Sequence, residues 1–251
     1  MSMSPRLLRP RASGFDPRSI SGLANWWDAS VASTVTLNGT TVSSWANRAS
    51  GPALGQDTAG AQPTYTAAGV NGKNVLTFDG GDVLSASATY GTQSNTLFLV
   101  ARSNSDVAFA GFFCLTPPSG NDNGNSNSIL VEQAGTDAVV VVQRGSAATS
   151  ANNPRVAGSG LLPLSVVSVR GSSSLLGLRT NGTLVEELPN TFSGTSTGVL
   201  VGGRYQSGAI SGSFRVIMTM CEILHYTAAL TNAQVSLVER YLGTKWGITV
   251  A

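Results

Sequence analysis

One histidine, His225, and two cysteines, Cys114 and Cys221, accompany 13 Asp and Glu in a chain of 251 residues, and any acid–base or nucleophilic chemistry has to be assembled from these. A Ser/His/Asp triad could use only His225, which lies in the apolar run 223–226 and reads as a packed or interface imidazole. Glycoside hydrolysis takes two carboxylates about 5 to 10 Å apart, one of them acting as acid. Glu132 and Glu222 each stand alone in an apolar segment, and Glu186 and Glu187 are consecutive, so on a strand they point to opposite faces. No catalytic residue is expected. Two widely separated cysteines and one histidine give no closed zinc set. The segment 121–127, Asn-Asp-Asn-Gly-Asn-Ser-Asn, offers oxygen ligands and a glycine, but it has one carboxylate and no later bidentate Glu. It reads as a loop tip, and neither metal nor cofactor is expected. Binding chemistry remains. Adjacent Trp26 and Trp27 on a strand face opposite ways. One can fill the core while the other is exposed, as a platform for a sugar ring or as part of a protein interface. Asn121, Asp122 and Asn123 would supply hydrogen bonds to a glycan.

Short strands are the elements that must carry these residues. Only 11% of the chain is charged, against about 25% in average soluble domains, and 29 Gly with 10 Pro punctuate runs of apolar residues. Strands are expected over 35–37, 41–45, 75–78, 96–101, 107–115, 129–132, 138–143, 164–170, 175–179, 183–188, 198–202 and 214–226, with turns at Asn38-Gly39 and Asn181-Gly182. One helix is expected near the C-terminus. Thr231 and Gln234 make a capping box, Leu230 staples onto Val235, and Val235, Val238 and Leu242 form an apolar face, with Gly243 as a left-handed stop. Both cysteines lie in apolar stretches and read as buried free thiols. No apolar run approaches the ~18 residues of a membrane span, and residues 1–8 carry no signal-type apolar core. Synthesis in a cytoplasm without membrane insertion is the expectation.

The charge is unevenly placed. Residues 1–18 hold Arg6, Arg9, Arg11 and Arg18 against Asp16, a net +3, whereas the rest of the chain is at −1. A body without a basic face does not suit nucleic acid. Pro5, Pro10 and Pro17 keep residues 1–19 extended, and few apolar groups are present to order them. An assembly arm is expected there, with Arg6, Arg9, Arg11 and Arg18 as charges and Leu7, Leu8 and Phe15 as anchors on a neighbouring subunit. Residues 20–251 form one β-sandwich domain.

The order of motifs in that domain is Ile20-Ser-Gly-Leu-Ala-Asn-Trp-Trp-Asp-Ala-Ser30, Val42-Ser-Ser-Trp45, Pro63-Thr-Tyr65, Asn71-Gly-Lys-Asn-Val-Leu-Thr-Phe-Asp-Gly80, Glu222-Ile-Leu-His-Tyr226 and Tyr241-Leu-Gly-Thr-Lys-Trp-Gly-Ile248. It resembles the concanavalin A-like lectin/glucanase (laminin G-like) jelly-roll domains of bacteriophage virion and bacterial surface proteins. The resemblance implies an all-β jelly-roll sandwich with one short C-terminal helix, an extended N-terminal arm and a concave face open to ligands. Such domains often carry an acid shortly after the Val-x-x-Trp segment, where this chain has Asn47, and the acidic strand of the glucanases has no counterpart. Two functions follow as expectations. The first is a non-enzymatic, homo-oligomeric bacteriophage virion protein, a capsid decoration, head-fibre or tail-appendage subunit held to other virion proteins by its arm. The alternative is a lectin-like module that binds host surface glycans.

Overall fold

Alternation of small or apolar with polar residues forms the strands, as in 84–91, where Leu84 and Tyr90 are buried and Ser87 and Thr89 are exposed. The computed structural model describes residues 14–116, 122, 128–135, 138–145, 153–191 and 194–251. Among them run β1 (Leu23–Asp28), β2 (Val35–Asn38), β3 (Thr41–Trp45), β4 (Leu54–Gly55), β5 (Thr64–Val70), β6 (Lys73–Asp79), β7 (Leu84–Gly91), β8 (Asn95–Ser103), β9 (Gly111–Leu115) and β10 (Ile129–Glu132). They continue as β11 (Ala138–Arg144), β12 (Arg155–Ala157), β13 (Ser165–Gly171), β14 (Leu175–Thr180), β15 (Thr183–Pro189), β16 (Thr195–Val201), β17 (Tyr205–Gln206), β18 (Ala209–Ile210) and β19 (Ile217–Tyr226), before helix α1 (Asn232–Trp246).

The chain is a jelly-roll β-sandwich. One layer has the order β15-β14-β13-β8-β19, and the far edge of β19 is shared by β6 and β1. The other runs β4-β7-β16-β9-β10-β11-β12. Every paired strand is antiparallel, and β3 joins the layers through β4 and β5. Between the layers lies a core that includes Trp27, Trp45, Phe78, Phe113, Leu97, Val142, Val199 and Met220. Turns at Asn71-Gly72 and Asn181-Gly182 take positive φ at both residues, the geometry a two-residue hairpin demands. Both cysteines are buried and free.

Helix α1 covers the outer face of the first layer. Val235, Val238, Leu242 and Trp246 pack there with Trp26, Phe98, Val100, Val166, Leu224 and Tyr226. The capping box at Thr231 and Gln234 forms as the sequence predicts. The stop does not fall at Gly243, which is inside the helix; the left-handed cap is Gly247, at φ 69°. A side chain at 243 would meet Val250 Cγ2 at 2.5 Å, so this glycine serves the close return of the C-terminus. The strand expected over 107–115 begins only at Gly111, because Phe109 adopts φ 61° and Ala110 N–H closes a turn onto Val107 O. Among the described residues no helix is long and apolar enough to cross a membrane.

Candidate functional site

With α1 packed over the first layer, a groove opens on the outer side of the second. Its floor is made by β7 and β16, where Gly198 pairs with Ser87 and Leu200 with Ser85. Ser85 and Ser87 are two apart on one strand and project to the same side. No bulky side chain stands between them and Gly198, and a groove of about 500 Å³ results. Its rim carries Gln56, Asp57 and Thr58 from the segment after β4, and its opposite wall is Tyr205 with Ile210 from the β17–β18 hairpin. The volume lies within the range of about 300 to 1,000 Å³ typical of small-molecule sites. The side chains of Asp57, Ser85 and Ser87 make no hydrogen bond to another described residue, whereas the Gln56 side chain is occupied by Val83 O and Thr58 N–H.

The wall is fixed from behind by a buried charge cluster. The Arg204 guanidinium donates to Asp122 Oδ1 at 2.9 Å, to Phe109 O at 3.1 Å and to Glu132. Tyr205 N–H donates to Asp122 Oδ2 at 3.0 Å, and Asp122 N–H returns a bond to Tyr205 O at 3.1 Å. Burial raises the Glu132 carboxyl to about 7, against the pull of Arg204 and a hydrogen bond from Gln143, with Asp122 pushing the same way as burial. Cys114 is pushed well up by burial and by Asp122, which makes it an inert thiol. The structure therefore unites two carboxylates, Asp122 and Glu132, that sequence spacing keeps apart. Each is 1% exposed and held on one guanidinium, so neither reaches a ligand.

A second buried cluster lies under α1. Glu222 accepts from the Trp26 and Trp246 indoles, both at 2.7 Å, and Lys245 bridges it to Asp28 with both Nζ–O distances at 2.7 Å. Burial, aided by Asp28, raises the Glu222 carboxyl. The expectation of one exposed tryptophan is not met. Trp27 points into the sandwich and Trp26 points outward, as the alternation requires, but α1 and Arg48 cover Trp26 and leave it 3% exposed. Asp122 is an ion-pair partner, and Asn121 and Asn123 lie outside the described residues. Of the assembly-arm residues, Arg6, Leu7, Leu8, Arg9 and Arg11 also lie outside them. Phe15 packs edge-on against Tyr241 of this chain's own helix at 5.9 Å, and Arg18 pairs with Asp16 and lies 5.7 Å from the Trp26 ring.

His225 is buried in a network of amides. Asn25 Oδ1 accepts from Tyr90 Oη at 2.9 Å and from Asn47 Nδ2 at 2.8 Å, which leaves Asn25 Nδ2 facing His225 Nδ1 at 2.9 Å. Nε2 then donates to Asn95 Oδ1 at 2.6 Å. A second ring proton would meet an amide N–H, and burial lowers the imidazole to about 3. The folded chain resists the proton that the unfolded chain takes up below about 6.5, so stability falls as pH drops from 6.5 toward 3. Relative to a His225→Asn variant, the wild type is expected to lose about 2 kcal/mol more between pH 7 and 5, measured by urea unfolding at each pH. Equal losses would show that the imidazole charges freely in the fold.

The run Gly194-Thr-Ser-Thr-Gly198 spells the nucleophile-elbow pattern, Gly-x-Ser-x-Gly. It forms strand β16 instead of a strand-to-helix turn, and Ser196 is fully buried with its hydroxyl on Gly198 O at 2.9 Å. Among the described residues no group of three or more His, Cys, Asp or Glu side chains is placed to hold a metal ion.

No family model matches the sequence, and no curated protein does. Solved structures share the fold. Domain 4 of AbnA, a GH43 extracellular arabinanase from Geobacillus stearothermophilus in complex with arabinotriose, matches 85% of this chain and 96% of its own, with TM-score 0.55 and 14% identity. An arabinofuranosidase complexed with arabinofuranosyl-α-1,2-xylobiose matches 82% of this chain and 51% of its own, with TM-score 0.60 and 12% identity. A Trypanosoma rangeli sialidase in complex with sialic acid matches 92% of this chain and 34% of its own, with TM-score 0.55 and 13% identity. This chain thus spans about half of the second protein and a third of the third. At such identities the likeness establishes the β-sandwich and leaves ligand and activity to the residues of the groove.

Proposed function

We propose that this protein is a lectin-like, non-catalytic module that binds glycan in the groove between Asp57 and Tyr205. The observation that carries the reading is the open groove itself, with a carboxylate and hydroxyls on its rim and floor that bond no described residue, and an aromatic wall. A sugar presents the matching surface, hydroxyls around its edge and C–H groups on its face. The arabinofuranosidase complexed with arabinofuranosyl-α-1,2-xylobiose and the arabinanase domain in complex with arabinotriose share this sandwich, which supports a saccharide as the ligand without identifying it. Binding without hydrolysis is favoured because Asp57 is the one carboxylate among the groove's lining residues, and glycosidic cleavage takes two. Nothing in the described residues or in these matches favours attachment to a virus particle, so the glycan-binding alternative stands ahead of the virion structural reading.

A Ser87→Trp substitution fills the groove from its floor at a solvent-facing position. Against an immobilised glycan panel, the wild type is expected to bind at least one oligosaccharide and the variant to bind it at least tenfold more weakly, with an unchanged melting temperature. No new reducing ends should appear on prolonged incubation with the bound glycan. Undiminished binding by the variant would move the site elsewhere, and steady release of reducing ends would make the protein an enzyme.

A further inference from the structure

Among the described residues, the lining of the groove carries charge of one sign. Among the described residues Asp57 is the only charged one lining it; it is exposed and engages no described residue. Among the described residues no Lys or Arg reaches the lining. Behind the wall, Arg204 is 5% exposed and held between Asp122 and Glu132, and Arg215, which packs near Ile210, has its guanidinium on the carbonyls of Ser211 and Gly81. Two carboxylates against one guanidinium give the Arg204 cluster a net negative charge whenever Glu132 is ionised, so it adds to the field of Asp57.

A carboxylate is an acceptor only, and it bonds a pair of sugar hydroxyls without any further proton donor. The carboxylate or sulfate of an acidic glycan would meet Asp57 with no cation among the described lining residues to pair it. We infer that the groove selects uncharged glycans over acidic ones, and that Asp57 is the residue that imposes the choice. This rests on the glycan-binding reading above and goes beyond it by fixing the class of ligand. Ser85 and Ser87 take part without sensing charge, since a hydroxyl donates or accepts as required.

The test uses the full chain and pairs of probes that differ in charge: neutral arabino-, xylo-, gluco- and galacto-oligosaccharides beside their uronic-acid or sialylated counterparts. Dissociation constants are measured by calorimetry at low and at high salt. At least tenfold preference for the neutral member of the bound pair is expected, shrinking as salt screens the repulsion. Asp57→Lys should reverse the preference toward the acidic member while leaving the melting temperature unchanged, because the side chain is exposed and bonds no described residue. Equal or tighter binding of the acidic member by the wild type overturns the selectivity and leaves the glycan-binding reading standing. An unchanged preference in Asp57→Lys removes Asp57 from the role. A panel on which nothing binds removes the glycan-binding reading and this inference with it.

Discussion

Replacing Arg204 with methionine is expected to lower stability by about 3 to 5 kcal/mol near neutral pH and to abolish glycan binding even in the fraction that stays folded. The guanidinium is the cation for two carboxylates that are each 1% exposed. Methionine leaves Asp122 and Glu132 together in a site that cannot hydrate them. The wall of the groove goes with it, since Asp122 is fixed by Arg204 and in turn holds the backbone of Tyr205. The loss has a pH signature. Glu132 already sits near 7 through burial, and removing its cation raises it further. The folded variant then holds a proton that the unfolded chain releases above about 4.5, so its stability rises as pH falls from 8 toward 4.5. The gap between wild type and variant, read from urea midpoints at pH 8 and pH 5, should narrow on acidification. Adding Glu132→Gln should recover part of the loss at pH 8 by removing one of the stranded charges. A gap that is independent of pH would mean that Glu132 is ionised and solvated, contrary to its place in the structure.

Local signals in the sequence carried to the fold where the interactions are local. The capping box at Thr231 and Gln234, the Asn181-Gly182 turn and most strand positions depend on neighbours a few residues away, and each forms as expected. Trp26 shows where that logic stops. Alternation correctly puts it opposite Trp27, but whether the outward face meets solvent depends on α1, some 200 residues later, folding back over it. The same holds for Asp122 and Glu132, which are joined because Arg204, just past the end of β16, reaches both. The groove was hidden for another reason. Asp57, Ser85 and Ser87 are ordinary surface residue types, and binding is conferred by the space above them. One signal was present: β7 reads Leu-Ser-Ala-Ser-Ala-Thr-Tyr-Gly, a strand whose outward positions carry nothing larger than Thr before its final glycine. Such a strand leaves an open floor wherever its neighbour is equally small, as Gly198 is. The scarcity of charge also takes on a different meaning in three dimensions. Asp28, Asp122, Glu132, Arg204 and Glu222 are all buried, so the low charged fraction understates how sparsely the surface itself is charged.

The second large effect belongs to Glu222. Its carboxylate is fully buried and accepts from two indoles while sharing Lys245 with Asp28. Glu222→Ala should lower stability by about 3 to 5 kcal/mol, because Trp26 and Trp246 each keep a buried N–H without an acceptor and Lys245 loses one of its two carboxylates. Glu222→Gln is the informative companion. Its amide oxygen can still accept from one indole, so it should cost less than Ala, and the cost that remains is dominated by the lost ion pair. A double-mutant cycle of Glu222→Gln with Lys245→Met isolates that pair. Coupling of at least about 1 kcal/mol is expected, since both groups are largely out of water and 2.7 Å apart. Negligible coupling would assign Lys245 to Asp28 alone. The consequence reaches the question of which face binds. Glu222 and Lys245 hold α1 down through Trp246, and α1 is what keeps Trp26 from solvent. A variant that loosens the helix would expose an indole beside Arg48 and create an aromatic patch on the wrong layer. Glycan binding by Glu222→Gln should therefore remain sensitive to Ser87→Trp if the groove is the site. Binding that had moved to the uncovered Trp26 would be indifferent to it.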